Sequence, residues 1–143
     1  MQKVYSTTVQ AAGGRRGSVA SSDGVLQLDL AAPKELGGAG GATNPEQLFA
    51  AGYAACFESA LRFVARHADI QFSSLSVAST VDLLRSETSD FTLSVEIEVI
   101  IDGLDRETAE DLVSHAHATC PYSKAVRGNV PVGIRVNGDR LSP

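Results

Sequence analysis

Cysteine is scarce in this chain of 143 residues, which has only Cys56 and Cys120. Two thiols cannot staple a disulfide scaffold, and a chain of this length can bury a core without one. In a reducing compartment such a pair is either inert or used chemically. Positive charge is short as well. Twelve Lys and Arg stand against 17 Asp and Glu, a formal net charge of −5, and the basic residues are scattered. Nucleic-acid binders normally show the opposite balance. The longest strongly apolar run, Leu48 to Phe57, is ten residues, against about 20 for a membrane span. It therefore reads as buried core. The start, MQKVYSTTVQ, has no apolar segment after Lys3, so no signal peptide is expected and the cytoplasm is the default location. No internal repeat is visible. The Gly-rich stretch 33–43 (PKELGGAGGAT) lacks the Lys-Ser/Thr of a phosphate loop and reads as a flexible or close-packed connector.

What is present is ordinary globular material: 43% hydrophobic and 20% charged residues, consistent with one domain over 1–143. Residues 1–32 read as a three-stranded antiparallel meander. Its strands are 2–10, 18–22 and a run from Val25 to Leu30, with Asp23-Gly24 as the hairpin signal. Asn44-Pro45-Glu46-Gln47 is a sharp helix start: a capping Asn, a Pro at the first helical position, an early carboxylate and a capping-box Gln. That helix is expected over 44–67. Its first half is apolar on nearly every face, so a long central helix buried all round and covered by a second subunit is expected. Two strands, 75–84 and 91–101, follow. A second helix over 105–120 stops at Pro121, one more turn can follow over 122–127, and 130–136 is a last strand. The predicted fold class is α+β with mainly antiparallel sheet.

Four residues carry the chemical interest, and each has a bland reading. Cys56, inside the apolar helix, can be a small buried hydrophobe whose surroundings raise its pKa. A nearby cation would be needed to lower it. Cys120 can be equally inert, or with His115, His117 and Cys56 can be read as soft metal ligands. His115 and His117, two apart on a helix, point in different directions, and no further ligand spacing supports a metal. Arg15, beside Arg16 in GGRRG, can be a solvated loop charge. Glu46 can be a helix-start carboxylate.

Taken together, NPEQLFAAGYAACF and AHATCPYSKAVRGN, with GGRRG and SSDGVLQLDLAAPKELGG upstream, resemble the organic hydroperoxide resistance protein family within the osmotically inducible protein superfamily. The resemblance runs from about Val4 to Val136. It implies a Cys-based thiol peroxidase that reduces organic hydroperoxides to alcohols. Cys56 falls on the peroxidatic position and Cys120 on the resolving one. Arg15 falls on the arginine that stabilises the thiolate and peroxide, and Glu46 on the carboxylate that orients it. The family binds no metal or flavin, and its disulfide is reduced by an external dithiol such as dihydrolipoamide, often on a lipoylated protein. Three places depart from the family pattern: Arg16, Glu58, and 82–90 (DLLRSETSD), which lacks a glycine-rich hairpin.

An intertwined homodimer is expected. Glu46 and Cys56 are ten residues apart on one helix, about 15 Å along its axis. Two such helices packed antiparallel about a two-fold axis would bring Glu46 of one protomer near Cys56 of its partner, with Arg15 from the protomer that supplies Glu46. An apolar-ligand or metal carrier and a structural dimer with inert thiols are the competing functions.

Overall fold

A computed structural model describes residues 1–142. The chain divides into two compact units, Met1–Leu48 and the remainder from Phe49. In the first, β1 (Val9–Ala12), β2 (Ser18–Ser21) and β3 (Gln27–Asp29) form an antiparallel meander in that order. β1 starts later than the sequence suggests, and β3 starts at Gln27 rather than Val25. The hairpin loop is longer because Asp23 folds it on itself. The Asp23 carboxylate accepts from Ser21 Oγ at 2.6 Å and from the Val25 N–H at 3.0 Å. Gly24 takes the positive φ of 74° that the turn needs. Stretch 33–43 is the close-packed alternative. Gly40 and Ala31 donate backbone hydrogen bonds to Ala32 and Thr43, and a Cβ on Gly38 would run into the Ala32 carbonyl.

The sequence break at Pro45 is a real helix start: α1 spans Pro45–His67. Asn44 Oδ1 accepts from the Gln47 N–H at 2.9 Å, whereas the Gln47 side chain accepts from Thr43 Oγ1 instead of returning to Asn44. Only half of the expected capping box forms.

In the second unit, β4 (Ser74–Arg85), β5 (Phe91–Asp102), β6 (Val132–Val136) and β7 (Asp139–Arg140) form a sheet in that order. β4 and β5 pair antiparallel over their full lengths, from Ser74↔Asp102 to Arg85↔Phe91. β5 and β6 pair parallel, so the sheet is mixed. A parallel pair needs a crossover, and α2 (Arg106–Thr119) with α3 (Pro121–Val126) supplies it. Asp105 caps α2 by accepting from the Thr108 N–H at 2.9 Å.

Alternation on β5 buries Val95, Ile97, Val99 and Ile101 on one sheet face. Against them lie Tyr53, Phe57, Leu61 and Ala65 of α1 and Ala109, Leu112, Val113 and Ala116 of α2. Burial of α1 on every face is not what the single chain shows. Tyr53, Phe57, Ala60, Leu61 and Ala65 form one buried stripe, while Ala51, Ala55 and Phe63 are exposed. One sheet can cover only one side of a helix, so the other side stays open. α1 also reaches further than its ten-residue apolar run: by length and composition alone it is long and apolar enough to cross a membrane, a test that the core helix of a folded domain also passes.

Candidate functional site

Arg15 sits in a single 3-10 turn, Gly14–Arg16, between β1 and β2. The turn is tight because Gly13 and Gly14 hold φ of 79° and 58°, and because Gly17 passes so close to Ala12 that a Cβ there would strike the Ala12 carbonyl. Arg15 Nη1 donates to Glu46 Oε2 at 2.8 Å and Nη2 to Oε1 at 2.6 Å, a two-point fork. These hydrogen bonds hold the Glu46 carboxyl below the usual carboxylate range and raise the guanidinium above its own. Arg16 is exposed and takes no part in the fork. Arg15 and Glu46 are thus brought together within the first unit.

Cys56 and Cys120 are brought together within the second. Cys56 lies midway along α1. Cys120 is the linker between α2 and α3 and is fully buried. Both are free thiols, and the Cys120 thiol donates to Cys56 Sγ across 3.5 Å. Pro121 fixes that linker: it has no N–H to continue α2, and it suits the first position of α3. Burial pushes the Cys56 thiol up, and the neighbouring Cys120 pushes it further. The Tyr122 backbone N–H opposes this rise. The sequence points to a side-chain cation near Cys56 and gives little sign of this backbone group. The Cys-Pro-Tyr run was its only signal.

Two other features escaped the sequence reading. Gly52 lies one turn before Cys56, and a Cβ there would come within 2.9 Å of Tyr122 Oη. This glycine therefore marks the close approach of Tyr122 to α1, which an isolated Gly in an apolar helix could have announced. Beneath it, Tyr53 Oη meets Ser123 Oγ at 3.0 Å, and Ser123 Oγ meets His117 Nδ1 at 3.0 Å. The metal alternative does not assemble. His115 Nδ1 lies against its own helix, 2.9 Å from the Asp111 carbonyl, and among the described residues no three His, Cys, Asp or Glu side chains converge on one point. Glu58 pairs with Arg62 one turn on, at 2.6 Å, as a surface ion pair.

As a class, the chain is an α+β fold carrying a paired-thiol centre. A family model described as OsmC-like protein matches residues 38–135. The chain is 47% identical over 135 residues to organic hydroperoxide resistance protein-like 2 of Staphylococcus epidermidis, covering 93% of this chain and 95% of that one. It superposes with TM-score 0.92 on the crystal structure of an organic hydroperoxide resistance protein OsmC from Legionella pneumophila, at 53% identity, covering 94% of this chain and 98% of that one. For the organic hydroperoxide resistance protein OhrB of Bacillus subtilis the TM-score is 0.85 at 43% identity, covering 94% and 100%. The chain belongs to the OsmC-like family, and the three relatives just described carry the organic hydroperoxide resistance name.

Proposed function

We propose that the chain serves organic hydroperoxide resistance as a thiol peroxidase, reducing alkyl and fatty-acid hydroperoxides to alcohols. The observation that carries this reading is the 3.5 Å approach of two free sulfurs in one core. Two inert thiols have no need to meet, whereas a disulfide needs about 2.05 Å between the same atoms, so a small movement closes the bond.

In this mechanism the Cys56 thiolate attacks the distal oxygen of ROOH. The O–O bond breaks, the alcohol leaves with a proton, and Cys56 becomes a sulfenic acid. Cys120 attacks that sulfur, water leaves, and the Cys56–Cys120 disulfide forms before further oxidation can occur. An external dithiol, dihydrolipoamide or a lipoylated protein, restores both thiols by exchange. Burial raises the Cys56 pKa, and this makes a charge partner necessary. Arg15 fills that role for the thiolate and for the charge developing on the peroxide oxygens, and Glu46 orients its guanidinium. No bound metal or flavin takes part.

The working form in this reading is a cytoplasmic homodimer. A second copy covers the open apolar side of α1, at Ala51, Ala55 and Phe63, and Arg15 with Glu46 of one protomer serves Cys56 of its partner. The test is a thiol titration. One equivalent of tert-butyl or fatty-acid hydroperoxide per subunit is expected to consume both free thiols, with dihydrolipoamide outperforming thioredoxin in turnover. Hydroperoxide that leaves both thiols intact overturns the peroxidase reading in favour of a carrier or a structural dimer.

A further inference from the structure

The Tyr53–Ser123–His117 chain is a buried polar arrangement that the peroxidase chemistry does not use. Tyr53 and Ser123 are both at 0% exposure, in a core otherwise built from apolar side chains. Buried hydroxyls of this kind are costly unless every one is satisfied. Here they are satisfied by each other. Tyr53 Oη and Ser123 Oγ stand 3.0 Å apart, and Ser123 Oγ stands 3.0 Å from His117 Nδ1.

The order of donors follows from the inventory of groups. With the His117 proton on Nε2, Nδ1 accepts, so Ser123 donates its hydrogen there and accepts from Tyr53. Reversal would leave the buried Tyr53 hydroxyl hydrogen with no acceptor in the chain. Burial, then the charge of Arg127, hold the His117 pKa below its usual value, which keeps the imidazole neutral and able to accept. Arg127 also donates from Nη2 to the His117 carbonyl at 3.2 Å, tying the end of α2 to the end of α3.

The members sit on three elements. Tyr53 is on α1, three residues before Cys56. His117 is in the last turn of α2, three residues before Cys120. Ser123 is in the first turn of α3, three residues after it. The chain therefore braces Cys120 from both sides against the helix that carries Cys56. The Cys120 linker breaks the helix, with φ −57° and ψ 123°, and one backbone bond ties it to each neighbour: its N–H donates to the Ala116 carbonyl at 2.8 Å and its carbonyl accepts from the Lys124 N–H at 3.0 Å.

We propose that Tyr53, Ser123 and His117 are positioning residues for disulfide formation, clamping the Cys120–Pro121–Tyr122 turn so that Cys120 Sγ stands ready at Cys56 Sγ. The inference rests on the peroxidase reading for its biological use, but the geometry it describes applies to any oxidant. The step is Cys56–SOH + HS–Cys120 → Cys56–S–S–Cys120 + H2O in the peroxide cycle. With oxidised glutathione as probe it is Cys56–S–SG + HS–Cys120 → Cys56–S–S–Cys120 + GSH, which needs no peroxidase activity.

The experiment measures the effective concentration of Cys120 toward Cys56 in glutathione redox buffers, on the folded full-length protein. The variants are Tyr53→Phe, Ser123→Ala and the double variant, with thermal melting recorded in parallel. Ser123→Ala is expected to lose about tenfold or more in effective concentration, within the range by which ångström-scale misplacement acts. The double variant separates positioning from mere burial. Removing both hydroxyls leaves no orphan between Tyr53 and Ser123, so its melting temperature should recover relative to Ser123→Ala. Its effective concentration should stay low, because the clamp is still gone. Should Ser123→Ala fail to fold, Tyr53→Phe and the double variant decide the matter. An effective concentration within twofold of the wild type in the double variant overturns the proposal, whatever the single variants do. Loss of hydroperoxide turnover in the wild type, with the glutathione result intact, would overturn the peroxidase reading and leave the clamp standing.

Discussion

The Arg15–Glu46 fork and the Cys56–Cys120 pair are held by opposite means. The fork hangs from a short loop. Arg15 is fixed by tight glycine geometry, its side chain is 39% exposed, and two hydrogen bonds give it direction. The thiol pair is fixed by packing: three helices, a buried linker and a hydroxyl–imidazole brace surround sulfurs 3.5 Å apart. Partly exposed ion pairs contribute about 0–1 kcal/mol, so stability gives little reason for a loop to carry this fork. A part-buried thiol pair that is to close a disulfide needs close spacing as well as charge. In the proposed mechanism this difference becomes a division of labour: a charge that can adjust, and a bond-forming centre that cannot.

The largest expected effect falls on the rigid side. Cys56→Ser should remove all organic hydroperoxide turnover, since no nucleophile remains. Cys120→Ser should still permit one attack per subunit and then stall, with sulfenic and sulfinic forms accumulating on Cys56 by intact mass. Full multiple turnover by Cys120→Ser with dihydrolipoamide alone would remove Cys120 from the cycle and undo the contrast.

On the adjustable side the effect is next in size. Arg15→Ala should slow the peroxide step by about 10²–10³, the usual loss for one donor to a developing oxyanion. Arg15→Lys should recover little, because a lysine cannot reproduce the fork. Arg16→Ala should remain near wild type. If Arg16→Ala is the crippling change, the roles of the two arginines are exchanged.

The fork and the thiols can also be separated by subunit. An inactive Cys56→Ser dimer mixed with an inactive Glu46→Ala dimer should regain activity after exchange if one protomer's fork serves its partner's thiol. One of the two sites in each mixed dimer would then be complete. Exchange confirmed by native mass spectrometry without any return of activity would place fork and thiol in the same protomer.

Much of this layout was legible in the residues, and the part that was not has physical causes. Helix α1 could be placed almost to the residue, because Asn44-Pro45 and the apolar run leave few other options. The fork could be expected only through the family resemblance, since neither Arg15 nor Glu46 is distinctive alone. The start of β3 was misplaced, because an Asp side chain that closes its own turn competes with strand pairing over Val25 and Leu26. The parallel β5–β6 pair could not be read from alternation, which is blind to strand direction. The Tyr122 N–H and the Ser123 brace were invisible because they depend on which helix faces meet, a tertiary property with no local pattern.

A smaller effect is expected at Gly52. A Cβ there would come within 2.9 Å of Tyr122 Oη. Overpacking commonly costs about 1–3 kcal/mol, but Ala gains up to ~1 kcal/mol over Gly in a helix. Tyr122 is 41% exposed and the atom met is the far end of its side chain, so Gly52→Ala should change stability little. It should disturb the Tyr122 turn and slow disulfide closure several-fold, well short of the ~10² that a full ångström misplacement can cost. Closure at the wild-type rate would mean that the turn tolerates movement of its aromatic ring.

The smallest effect is a division of the pH dependence of stability between the two regions. Arg15 holds Glu46 below its ordinary value of 4.5. The folded protein therefore binds this proton less readily than the unfolded chain, and the stabilising contribution is present above pH 4.5 and lost as pH falls through the folded value. His117 has a folded pKa below its ordinary 6.5, from burial and from Arg127. Between the folded value and 6.5 the unfolded chain binds more protons, so stability rises with pH across that window. The contribution is full above 6.5 and is lost as pH falls through the folded value. Mild acid should thus loosen the brace beside the thiols, and stronger acid the fork. Thermal unfolding across this range should show the upper slope reduced in His117→Gln and the lower slope reduced in Glu46→Gln. Added salt should weaken the Glu46 contribution, because Arg15 is partly exposed and screened, and should weaken the half-buried His117 contribution less, because burial leads Arg127 among its causes. An upper slope that survives in His117→Gln would assign it to another group and remove His117 from the pH response of this core.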